Sequence, residues 1–170
     1  MNMWLYCVRH GESVHNAEGR IQGQLDVPLS AFGRRQGEAI AEALAAQPVD
    51  AIYASPLLRA LQTAQIVARR LNLPIRTDDR LKEINVGVFQ NRLRSEVAQL
   101  YPEAFARWTS GEPDFAVPGG ESYPAGETEL QAEWQRLGDR FRLPPESVRA
   151  IWSLYGSRAE SVTVRYLNHQ

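Results

Sequence analysis

Six apolar residues in a row, Met3-Trp4-Leu5-Tyr6-Cys7-Val8, run straight into Arg9-His10-Gly11. A run of this length without apolar/polar alternation suits a strand buried on both faces, as in a parallel sheet. It places the polar trio at the strand's C-terminal end, the edge of an open α/β sheet where ligands bind. Gly11 allows the backbone to turn tightly after the histidine. Arg9 presents a planar fork suited to phosphate or carboxylate. His10 is a nucleophile or an acid/base at neutral pH. Taken alone, so short a motif is equally well read as a strand that merely ends in polar residues.

The segments that follow favour a layered arrangement. Val14 to Pro28 is rich in Gly, Asn, Gln and Asp and reads as a long loop, with His15 exposed in it. Ser30 is a fitting N-cap for a helix from Ala31 to about Ala46, with Phe32, Ala39, Ile40, Ala43 and Leu44 as its buried face. Ala51 to Ser55 reads as a short strand. Leu57 to Leu71 has Ala60, Leu61, Ala64, Val67, Ala68 and Leu71 at helical spacing, and Asn72 and Pro74 close it. Ile75-Arg76-Thr77 reads as a third strand. This β-α-β-α-β order predicts parallel strands joined by helical crossovers, in a three-layer α/β/α domain with a mostly parallel central sheet.

Further on, Leu81 to Asn91 is loop-like and carries Glu83. Ser95 caps a short helix to Tyr101, and a second runs from Glu103 to Trp108. Phe89, Tyr101, Phe105 and Trp108 read either as core or as the wall of a site for a bulky leaving group. Gly111 to Gly126 is a loop. Glu127 to Phe141 and Glu146 to Leu154 read as helices, and Ser161 to Leu167 as a half-buried strand.

At 170 residues the chain has a natural single-domain length. Its net charge of -1, with no long run of one sign, argues against nucleic acid as a partner. Cys7 is the only cysteine, so no internal disulfide forms. No apolar run approaches the ~20 residues of a membrane span, and no secretory leader is visible. The expectation is a cytoplasmic protein without nucleic-acid or membrane partners. Oligomeric state is not readable.

Arg9-His10-Gly11-Glu12 is followed by Asn16, Pro28-Leu29-Ser30 and Gly33. After these come Ser55-Pro56-Leu57-Leu58-Arg59-Ala60-Leu61-Gln62-Thr63-Ala64, Leu81-Lys82-Glu83 with Gly87, and Pro118-Gly119-Gly120-Glu121-Ser122. In this order and at these spacings the set, spanning about Met3 to Ser122, resembles the histidine phosphatase superfamily, in its phosphoglycerate-mutase-like branch. The resemblance implies a phosphomonoester hydrolase acting on a small phosphorylated metabolite. His10 is then the nucleophile that becomes phosphohistidine. Arg9 and Arg59 bind the phosphoryl oxygens, whose charge grows in the transition state. Glu83 is the acid that protonates the departing alcohol. Asn16 and Gly23 join Arg9 and Arg59 as substrate-binding residues. Outside that context Arg59 reads as a surface helix residue, Glu83 as a solvated carboxylate, Glu12 as a loop-orienting residue and Gly119-Gly120 as a plain turn. No metal and no cofactor is called for.

One part of the pattern is lacking. Family members carry a second histidine late in the chain, after an apolar strand, and here the only histidines are His10, His15 and His169. Leu143 to Tyr166 again looks similar to the family's C-terminal portion. The simplest account is an internal deletion around Tyr123 to Arg142. Either the sheet then closes differently without one central strand, or the protein is marginally stable. Two further readings therefore stand beside the phosphatase: a phosphoglycerate mutase, and a catalytically dead relative that binds phosphorylated ligands or protein.

Overall fold

The computed structural model describes residues 6, 8–112 and 114–122. The chain divides into a unit formed by His10–Tyr123 and a second formed by Met1–Arg9 with Pro124–Gln170. In the second unit the described residues are Tyr6, Val8 and Arg9. The expected strand at Met3 to Val8 thus lies almost entirely outside the described residues. So do the helices expected at 127–141 and 146–154, the strand at 161–167, the deletion at 123–142 and His169.

Within His10–Tyr123 the elements are α1 (Val14–Ala17), α2 (Ala31–Ala45), β1 (Ile52–Ala54), α3 (Leu58–Leu71), β2 (Ile75–Thr77), α4 (Arg94–Leu100) and α5 (Pro102–Ser110). Single 3₁₀ turns occupy Asp79–Leu81 and Gly87–Phe89. β1 and β2 pair in parallel, Ile52 opposite Ile75 and Ala54 opposite Thr77, and α3 is the crossover between them. This is the α/β order expected from the apolar spacing.

α2 starts where Ser30 accepts from the Gly33 N–H. Its buried face differs from the one the large apolar residues suggested. Gly33, Gly37 and Ala41 are buried, whereas Phe32, Ala39 and Ala43 are exposed and Ile40 and Leu44 half-buried. The reason is a close helix approach: a Cβ on Gly37 would lie 2.8 Å from Ile66 Cδ1 of α3. α3 ends at Asn72, whose left-handed backbone (φ 54°) stops the helix.

The segment read as one long loop, Val14 to Pro28, is more ordered than that. Ser13 and Asn16 form a reciprocal capping box on α1, and Ser13 bridges Leu29 in antiparallel fashion. His15 is half-buried in α1 rather than exposed. Ser95 is also not a cap. α4 is capped at Leu93, whose N–H donates to the Glu96 carboxylate at 2.7 Å, and Ser95 lies in the first turn. α5 opens on Pro102 and stops at Gly111 (φ 69°).

A core of Ile21, Val86, Phe89, Val97, Phe115 and Val117 lies under α4 and α5. Phe89 is fully buried, with the rings of Tyr101, Phe105 and Trp108 5.6–6.4 Å away. Phe89 is therefore core, and Tyr101, Phe105 and Trp108 pack half-buried against it. Among the described residues no helix is long and apolar enough to cross a membrane.

Candidate active site

α3 delivers Arg59 one residue into its first turn, and the side chain is 3% exposed. A buried guanidinium needs partners for its fixed fork of donors. The loop before α2 supplies them: Nη2 donates to the Gly23 carbonyl at 2.9 Å and Nη1 to the Leu25 carbonyl at 3.1 Å. The remaining edge turns to His10, where Nε donates to the imidazole Nε2 at 3.1 Å. On the other side of the ring, Nδ1 lies 2.7 Å from the Gly11 carbonyl. A carbonyl only accepts, so Nδ1 carries the proton and Nε2 holds a lone pair directed at Arg59. The surface-helix reading of Arg59 is thereby excluded.

The supporting shell is mostly backbone. A Cβ on Gly11 would meet the Gly33 carbonyl, and one on Gly33 the Glu12 carbonyl, so the turn after His10 lies directly on the first turn of α2. Glu12 fastens it there: its carboxylate accepts from Ser30 Oγ at 2.6 Å and its N–H donates to Gln36 Oε1 at 2.8 Å. The loop carrying Gly23 and Leu25 is pinned to α3 at two points. Asp26 Oδ1 accepts from the Leu58 N–H at 2.9 Å, and the Leu29 N–H donates to Gln62 Oε1 at 2.8 Å. Buried Thr63 joins the two halves. Its hydroxyl accepts from the Gly11 N–H at 3.1 Å and donates to the Arg59 carbonyl at 2.8 Å.

His10, Arg59 and Gly23 are thus in direct succession. Gly23 acts on Arg59 through its carbonyl, with a positive φ of 52°. The Asn16 amide oxygen is used in the α1 cap, accepting from the Ser13 N–H at 3.2 Å, and its NH₂ is not part of that cap. Glu83 is exposed, and its carboxylate accepts from the Ile84 N–H at 3.0 Å rather than bonding His10 or Arg59. Arg9 is exposed and belongs to the other unit. Gly119 and Gly120 form a turn on the 85–88 segment, where Gly120 N–H donates to the Val117 carbonyl and Val88 N–H to the Pro118 carbonyl. Among the described residues no three His, Cys, Asp or Glu side chains are grouped to hold a metal ion.

The residues that sequence reasoning left without a role are Leu25, Asp26, Gln62 and Thr63. Asp26 and Gln62 accept backbone N–H groups of Leu58 and Leu29 that spacing does not reveal, and Leu25 acts through its carbonyl, which carries no side-chain signature. Thr63 did carry one: it lies four residues after Arg59, on the same face of α3.

An imidazole with Nδ1 held by a carbonyl stands beside a buried, braced guanidinium, a pairing whose chemistry suits a phosphoryl-type anion. Residues 5–143 match the model of the histidine phosphatase superfamily, branch 1, and the chain belongs to that family. It is similar to phosphoglycerate mutase-like protein 4 of Arabidopsis thaliana, 39% identical over 79% of this chain and 60% of the relative. It is likewise similar to phosphoserine phosphatase 1 of Hydrogenobacter thermophilus, 42% identical over 69% of this chain and 56% of the relative. Among solved structures it resembles a mycobacterial glucosyl-3-phosphoglycerate phosphatase in complex with VO3. That match has a TM-score of 0.69 and 34% identity, covering 80% of this chain and 63% of the other. The chain therefore spans less than two thirds of the length of each of these relatives.

Proposed function

We propose that the chain hydrolyses a small phosphomonoester through a phosphohistidine intermediate. The observation that carries this is the His10–Arg59 pair, with Nδ1–H held by the Gly11 carbonyl and Nε2 facing a guanidinium braced by two carbonyls. An arriving phosphate monoester competes with Nε2 for the Arg59 donor and frees the lone pair. Nε2 then attacks phosphorus, the ester P–O bond breaks, and Glu83 gives its proton to the departing alkoxide. In the second half Glu83 takes a proton from water, the water oxygen attacks phosphorus, and the P–N bond breaks to release phosphate and restore the imidazole. Arg59 and Arg9 carry the charge that develops on the equatorial oxygens. Asn16 and the Gly23 backbone complete the substrate contacts.

The relatives named as phosphoserine and glucosyl-3-phosphoglycerate phosphatases support hydrolysis of a small phosphorylated metabolite. The reading takes residues 1–170 as one domain with an internal deletion around 123–142, working in the cytoplasm. The test is phosphate release by the purified chain from a panel of sugar, nucleotide and aryl phosphates. Release that disappears in His10→Ala, with an acid-labile phosphoenzyme in the wild type, is the expected result. No release from any of them sinks the proposal.

A mutase reading is favoured by the likeness to phosphoglycerate mutase-like protein 4. It predicts that 3-phosphoglycerate is isomerised faster than it loses phosphate.

A further inference from the structure

We propose that Thr63 is a positioning residue, whose buried hydroxyl fixes the His10–Gly11 turn to the helix turn that carries Arg59. Its hydroxyl bonds the backbone on either side of the pair, at Gly11 and at Arg59. Gly11 is held through both of its peptides: the carbonyl it shares with Glu12 lies 2.7 Å from His10 Nδ1, and the N–H it shares with His10 donates to Thr63 Oγ1 at 3.1 Å. The same oxygen donates its one proton to the Arg59 carbonyl at 2.8 Å, the i−4 bond open to threonine in a helix. Donor and acceptor capacity are both used, so the hydroxyl has one orientation. Gly11 and Thr63 are both buried, and water cannot take over either bond. The ring tautomer is therefore set by the carbonyl of Gly11, the residue whose other peptide, shared with His10, is anchored by Thr63.

Thr63→Val keeps the shape and removes both bonds, and Thr63→Ser keeps the bonds and removes a methyl. The kinetic arm rests on the phosphatase reading, but two others do not. Nitrogen-15 spectra of His10 are expected to show one neutral Nδ1–H form in the wild type and in Thr63→Ser, and a mixture of tautomers in Thr63→Val. Vanadate affinity is expected to fall about tenfold or more in Thr63→Val and to stay near wild type in Thr63→Ser. If the chain turns over substrate, kcat falls in Thr63→Val more than KM rises. An unchanged His10 spectrum and vanadate affinity in Thr63→Val overturns the proposal. So does a Thr63→Ser variant as impaired as the valine variant, since packing of the methyl is then what matters. Where the valine variant does not fold, amide exchange at Gly11 decides. Protection in both wild type and Thr63→Ser is expected, and exchange at the unprotected rate in either is a refutation. Absence of phosphatase activity with a His10 spectrum that still responds to Thr63→Val defeats the reaction and leaves the positioning role standing.

Discussion

The proposed reaction makes two demands meet in the Arg59 side chain: it must reach an anion, and it is buried. The Gly23 and Leu25 carbonyls make the burial tolerable by taking two of its donors, and in doing so they set its plane. Lysine has the charge but not the fork, so Arg59→Lys is expected to behave like Arg59→Ala. Each should lose about 10²–10³-fold in phosphate release, the scale for a donor to a developing oxyanion. A lysine variant within tenfold of wild type argues that charge alone suffices. Gly23 is the matching backbone position. Its φ of 52° and the Gln90 amide that a Cβ would meet leave no room for alanine. Gly23→Ala should cost ~1–3 kcal/mol, seen as a lower urea midpoint at unchanged slope. At this scale His10 and Arg59 were legible because their chemistry is in their side chains. The carbonyls of Gly23 and Leu25 were not, because every residue has one and sequence does not say where it points.

The seam between α2 and α3 shows why spacing of large apolar residues misleads. Gly33, Gly37 and Ala41 recur every four residues and form a flat strip, and flatness is what lets α3 come close. A search for a hydrophobic stripe picks Phe32 and Ala43 instead, both exposed. Gly37→Ala sets a gain in helix propensity of ~1 kcal/mol against contact with the movable end of Ile66, and should be near neutral. Gly37→Leu should destabilise by ~1–3 kcal/mol through overpacking. Thermal melts of the two variants separate these expectations. Glu42 of α2 and Arg70 of α3 tie the same seam at the surface, with Arg70 Nε donating to Glu42 at 2.7 Å. The hydrogen bond from Arg70 holds the Glu42 carboxyl below the usual carboxylate range. A carboxyl so lowered adds stability above its unfolded pKa and loses it as pH falls through the folded one. Glu42→Gln should therefore lower the melting temperature slightly at neutral pH and low salt. The difference should vanish in strong acid and in high salt.

For the molecule as a whole, the α2–β1–α3–β2 order and the bounds of α5 were legible because punctuation residues mark them: Ser30, Asn72, Pro74, Pro102 and Gly111 each sit at a boundary. The core under α4 and α5 was less so. Phe89, Val97 and Phe115 come from a turn, a helix and a loop with no common period, so only packing reveals that they belong together. Phe89→Ala should cost ~3–5 kcal/mol, since its neighbours are themselves rings that collapse poorly into a void. On the proposed reading, a site assembled from His10, α3 and the 23–26 loop gives the folded state an anion affinity that the unfolded chain lacks. Any phosphoryl-like anion must then stabilise the fold by RT ln(1 + [L]/Kd), about 2.7 kcal/mol at a hundredfold excess over Kd. Vanadate or inorganic phosphate is expected to raise the melting temperature of the wild type in a saturable way. Chloride at equal ionic strength serves as the control for non-specific salt effects. The shift should be lost in Arg59→Ala and kept in Glu83→Gln, because in the proposed mechanism the guanidinium binds the anion while the carboxyl serves the leaving group. An equal shift in Arg59→Ala would mean that the anion is held elsewhere, and the role given to the His10–Arg59 pair would fall with it.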